Sequence, residues 1–358
     1  TANNQIGIVA DGGTINAMGA STITVQNGGI GVYVKNAAPV FGTTTIAVQA
    51  GTSSEYSVGV YYDGVSFIGT APTITQAGSY TIGMVLNNST GIVNREINIG
   101  NTAISNQIGI IVKGNSDLTV MENISVRGSK NIGVYGEKSK IKVSGDVIVL
   151  NSPTCINKSE SSIGISISNS SYLGIGNISV GDYSIGILGK NMTSGNTITQ
   201  GTGVEIMTIG KDGLGIYGEG TGGTITVKMS NILIGTDNAI GVYAKGMDSK
   251  VTGDMKVGAN TSIGIVSEGN GDVFYTGSIR IENKLSTASV GIYKKDGSGT
   301  ISTSEGNWNV GNSGYGIYLK QSTGLEAVIN NKANMNLGMS SIGIFSNGKN
   351  IVNNIGNI

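Results

Sequence analysis

Apolar residues in this chain fall into short runs that alternate with polar ones. Ile124-Ser125-Val126, Ile178-Ser179-Val180, Met255-Lys256-Val257, Ile279-Arg280-Ile281 and Met335-Asn336-Leu337 share one form. A second set includes Leu118-Thr119-Val120, Ile141-Lys142-Val143, Ile225-Thr226-Val227 and Val273-Phe274-Tyr275. A period of two puts alternate side chains on opposite faces of a strand. β-Branched residues fill the runs, and Gly, Asn, Asp and Ser separate them. No stretch shows a capped 3.6-residue pattern.

A third element carries the repeat. An Ile-Gly-Ile-Tyr-like tetrapeptide recurs with its glycine at Gly7, Gly31, Gly59, Gly83, Gly109, Gly133, Gly164, Gly186, Gly215, Gly241, Gly264, Gly291, Gly316 and Gly343. The spacing averages about 26 residues, a period that marks a solenoid or array. Three short strands per period predict an all-β fold, a right-handed parallel β-helix of about 14 coils. Residues 1–358 read as a single solenoid segment of a longer chain. The uneven intervals place turn insertions near residues 49–56, 150–161 and 190–204. If the Ile and Val flanking each motif glycine face inward, strict alternation turns the glycine and the residue two after it outward.

Composition narrows the function. There is no His and one Cys among 358 residues. Ser-His-Asp catalysis, imidazole metal sites and a disulfide framework are thereby excluded. Lys+Arg and Asp+Glu balance at 22 each. A neutral chain argues against nucleic acid as partner. No cofactor and no metal site are expected. Glycoside hydrolysis would need paired carboxylates, but Asp and Glu are scattered. A β-helix polysaccharide-active enzyme stays as an alternative, marked by acidic side chains converging in a cleft.

The position two after the motif glycine is often aromatic: Tyr33, Tyr61, Tyr135, Tyr217, Tyr243, Tyr293, Tyr318 and Phe345. Such a column is either a structural ladder or a flat stripe for a sugar or partner protein. Tyr135, Tyr217, Tyr243, Tyr293 and Tyr318 are the candidate binding residues. Lys35, Lys113, Lys190, Lys245, Lys295 and Lys320 lie four after their glycines, and Glu137, Glu219 and Glu268 share that column. Mixed signs there predict a solvated face. Trp308 aligns with the first apolar position of the Ile-x-Val run and is expected inside. Cys155 falls in the longest insertion.

Gly213-Leu-Gly-Ile-Tyr-Gly, Ala239-Ile-Gly-Val-Tyr-Ala-Lys and Gly314-Tyr-Gly-Ile-Tyr-Leu-Lys resemble repeats in the passenger domains of large fusobacterial autotransporter adhesins. The resemblance covers essentially the whole chain and extends to the galactose-inhibitable members. It implies an extracellular rod on the bacterial surface, held to the outer membrane by a C-terminal translocator barrel that this chain lacks. It implies attachment to host-cell or bacterial receptors or glycans, without catalysis. A structural stalk, with binding elsewhere in the parent chain, is the other reading.

Overall fold

The computed structural model describes the chain apart from residues 1–4, 18, 70, 102, 152–159, 284–286 and 323. It is built of β-strands joined by turns, with no α-helix among the described residues. Its contacts divide into two compact units, Thr1–Gly174 and Ile175–Ile358. Each is a parallel β-solenoid, as the repeat predicts.

In the first unit, seven motif strands stack in chain order, from Ile6–Ala17 to Ile163–Ser168. They pair in parallel from one coil to the next. The second unit repeats this with seven more, from Ile185–Met192 to Ile342–Asn347. The other two strands of each coil carry the alternating runs. Their inward residues form the core. In the first unit these include Leu118, Val120, Ile124, Val126, Ile141 and Val143; in the second, Ile225, Val227, Met255, Val257, Ile279 and Ile281. Leu337 departs from the pattern and is exposed.

Three strands per coil is not universal. Ile6–Ala17 and Ile30–Phe41 run through the first corner, and Thr224–Ile234 and Asp248–Val257 run through the second. In Ile6–Ala17, Ile30–Phe41 and Asp248–Val257 the corner is turned inside the strand by residues at positive φ: Gly12 (75°) and Gly13 (86°), Asn36 (46°) and Gly253 (137°). Elsewhere the corner is a turn, often with Asn or Asp at positive φ, such as Asn88 (48°) and Asn115 (61°). Short polar side chains tolerate that left-handed conformation better than most. This accounts for the abundance of Asn beside Gly.

The motif itself differs from strict alternation. In Ile132-Gly133-Val134-Tyr135 the ladder pairs Ile132 with Ile163 and then Val134 with Ile165, passing over the glycine. Gly133 and Val134 are both buried, while Ile132 and Tyr135 are partly exposed. The glycine therefore faces the core, not the solvent. The reason is crowding: a β-carbon on Gly133 would lie 2.5 Å from the Gly164 carbonyl oxygen and 2.5 Å from Ile124 Cγ2. In the second unit, Gly241 meets the Gly264 carbonyl oxygen at the same 2.5 Å. Alternation resumes after the glycine, so the aromatic position still points outward.

Candidate binding faces

The outward aromatic column breaks into separate clusters. In the second unit Tyr217 and Tyr243 lie in register with ring centroids 5.1 Å apart. Val266 follows them in the ladder and is buried. Tyr293 and Tyr318 come next, at 5.5 Å, and Phe345 stacks on Tyr318 at 4.7 Å. Tyr315, which precedes its motif glycine, joins this cluster edge-on at 5.0 Å from Tyr318. Tyr135 lies in the first unit between Ile111 and Ser166 in the ladder. The five candidate tyrosines thus form two pairs and a lone residue. Tyr315 was missed because it occupies the position usually held by Ile.

Beside the rings runs a column of charge, Glu219–Lys245–Glu268–Lys295–Lys320, each in register with the next. Lys245 Nζ lies 2.7 Å from Glu219 and Lys295 Nζ lies 3.4 Å from Glu268. The phenols join the same network. Tyr217 donates to Glu219 at 2.8 Å, and Tyr243 donates to Glu268. The Lys245 hydrogen bond, then that of Tyr217, holds the Glu219 carboxyl below its ordinary range. Tyr243, ahead of Lys295, does the same for Glu268. Burial, then these carboxylate bonds, pushes both phenols up. The mixed-sign column lies on one face as the sequence places it, with tyrosine hydroxyls tied into it. Chemically it is a row of flat rings flanked by fixed carboxylates and ammonium groups, spaced about 4.8 Å per coil.

A second face of this unit is concave. A groove of about 440 Å³ runs over residues 280–283, 309–311 and 336–338, and a smaller one of about 200 Å³ adjoins it at Arg280 and Asn309. Lys256 and Arg280 both lean on Glu282, at 3.2 and 3.6 Å. Asn336 donates its amide to Asn309 at 3.2 Å. Beneath this groove lies Trp308, wholly buried as expected, donating to the Gly277 carbonyl at 3.3 Å. Its ring meets Tyr275 edge-on at 5.6 Å.

The predicted insertions prove modest where they are described. Residues 49–56 make a small turn in which the Glu55 amide bonds Thr52. Residues 190–192 belong to a strand. The turn after Gly201 closes on Glu205, whose carboxylate accepts the amides of Thr202, Gly203 and Val204 and the Thr202 hydroxyl. Burial opposes ionisation of Glu205, but those hydrogen bonds outweigh it and bring its pKa to about 2. Cys155 and most of the 150–161 insertion lie outside the described residues. Among the described residues no group of three or more Cys, Asp or Glu comes together in a way that could hold a metal ion.

Comparison with protein-family models, curated proteins and solved structures finds no match. Geometry and the repeat motif therefore carry the functional argument.

Proposed function

We propose that this chain is an adhesive solenoid of a bacterial surface, binding a glycan or protein receptor on a host cell or partner bacterium without catalysis. The observation that carries the reading is the Tyr217–Tyr243 pair with its charge column. Flat apolar rings offer stacking area, and carboxylates and amines at their rim offer directional hydrogen bonds, the combination expected of a concise binding site. The ladder holds these groups at fixed spacing, so little side-chain freedom is lost on contact. The repeat resemblance supplies the rest of the proposal: an extracellular setting, with attachment through a translocator barrel elsewhere in the parent chain.

One observation favours a stalk instead. Glu219 and Glu268 already have Lys245 and Lys295 as partners, and the phenols are committed to the same carboxylates. A self-satisfied face has less to offer a ligand. Binding of the folded chain to a glycan array and to host-cell and bacterial surfaces separates the two. Saturable binding supports the adhesin. Absence of binding by a chain that circular dichroism shows to be folded supports the stalk.

A further inference from the structure

The strand ladder of the first unit is interrupted between Thr73–Gln76 and Ile97–Ile99. Thr22–Val25 pairs with Thr45–Val48, which pairs with Thr73–Gln76, and there this three-stranded sheet ends. One coil on, Ile97–Ile99 pairs forward with Ile124–Gly128 and belongs to a different sheet. Between Thr73–Gln76 and Ile97–Ile99 lies a cavity of about 470 Å³, floored by Gly83, Met84, Gly109 and Ile110. That volume is within the range of roughly 300–1,000 Å³ typical of ligand sites.

The backbone on both sides of this slot is directed into it. The Thr73 amide donates to Thr44 O at 3.3 Å and the Ala77 amide to Val48 O at 2.9 Å. Successive residues of a parallel strand bond to opposite neighbours. The Ile74 and Gln76 amides and the Ile74 carbonyl therefore face the slot. Across it, the Ile97 amide donates to Asn123 O at 2.9 Å. By the same alternation the Asn98 amide and carbonyl face the slot from the other side. Gln107 Nε2 covers the Gln76 carbonyl at 3.2 Å. Ile74 and Gln76 are partly exposed and Asn98 is exposed, so these strand-edge groups are open to pairing, and a strand between them would satisfy both edges.

The interior is incomplete at the same point. A β-carbon on Gly59 would meet methyls of Val48 and Ile74, and one on Gly109 would meet Ile97 and Ile99. At Gly83 it would meet the Gln76 amide. Gln76 occupies the column of Val25 and Val48, and its amide lies across the floor, with Nε2 donating to Thr81 and to the Ile108 carbonyl at 3.0 Å each. At the mouth, exposed Arg95 donates to the Thr73 hydroxyl. A side chain, not a backbone ladder, thus spans the entrance.

We propose that this slot receives an extended peptide strand of a partner protein, laid parallel between Thr73–Gln76 and Ile97–Ile99. Its side chains would alternate, apolar ones packing inward beside Gln76 and Ile110 while polar ones face solvent. Strand addition supplies alternating donors and acceptors at the period of both edges. An acyl chain offers neither, and a sugar does not match that period. The inference stands on the interruption alone and is independent of the adhesive reading.

The probe is a fluorescent, end-blocked peptide copying Thr44–Gln49 of this chain, which already pairs with Thr73–Gln76. Saturable binding is expected. It should weaken at least tenfold when the peptide is N-methylated at its Ile and Val, and likewise for Asn98→Pro, which removes one slot-facing amide. Arg95→Ala should speed association by clearing the mouth. Hydrogen exchange at Ile74, Gln76 and Asn98 should slow in the complex. Equal binding of the methylated peptide, unchanged exchange at these amides, or no binding by the folded chain would each overturn the proposal.

Discussion

A β-carbon on Gly133 would sit 2.5 Å from the carbonyl oxygen of Gly164, its counterpart one coil further on. The motif glycine is therefore needed for close approach of backbone to backbone, not for an unusual φ. Each coil rests its Gly carbonyl where the previous coil would carry a side chain.

Gly133→Ala should destabilise the protein by about 1–3 kcal/mol, the usual cost of overpacking a filled interior. Gly19→Ala, with open space around it and ordinary backbone geometry, should change stability by less than about 0.5 kcal/mol. Urea unfolding of both variants gives the comparison. Equal stability of the two variants would contradict the crowding argument.

Lys294 lies wholly buried in the column of Ser267 and Leu319. Its Nζ donates to the carbonyls of Gly269 and Gly271 at 2.9 Å each, and to the Ser267 hydroxyl at 3.3 Å. Burial pushes its pKa from 10.5 down to about 8, against the field of Asp272 and Asp248. Below about pH 8 the charge is buried at full cost. Between about 8 and 10.5 the unfolded chain keeps a proton that the fold has shed, so stability rises with pH. The rise at this site is on the order of 2–3 kcal/mol. Burial raises the phenols of Tyr172 and Tyr275, which reverses the trend above about pH 10. The difference between wild type and Lys294→Met isolates the lysine. A flat difference between pH 7 and 10 would refute its burial.

Tyr62 is fully buried in the first unit, packed on Phe67 at 4.7 Å, and its hydroxyl has no hydrogen-bond partner among the described residues. Burial raises its pKa strongly. Tyr62→Phe removes an unsatisfied polar atom and should stabilise the fold by about 1 kcal/mol. A loss of stability in thermal unfolding would mean that the hydroxyl has a partner after all.

The fold was legible because the repeat is long and its strands keep a period of two. Trp308 was placed inside by alignment with Met255 and Met335, which share its position in the coil. The inward turn of the motif glycine was not legible. It depends on a register that skips Gly133, and no side chain there announces it. Lys294 carried a signal, since it stands one position from the outward Lys295 and alternation sends it inward. Gln76 in the column of Val25 and Val48 was likewise visible, but the unpaired edges beside it are set by the coil that follows. Two candidate pairs, Tyr217 with Tyr243 and Tyr293 with Tyr318, assemble because their coils are adjacent. Tyr243 and Tyr293 are parted by Val266, whose coil carries no ring.

The adhesive reading is tested most directly by cell-surface binding of the wild-type chain beside Tyr217→Ala/Tyr243→Ala and, separately, Tyr135→Ala. These tyrosines point outward and their removal leaves the inward columns intact. The account predicts saturable binding by wild type and Tyr135→Ala, with at least a tenfold loss in the double variant. Binding that survives the double variant unchanged would contradict it.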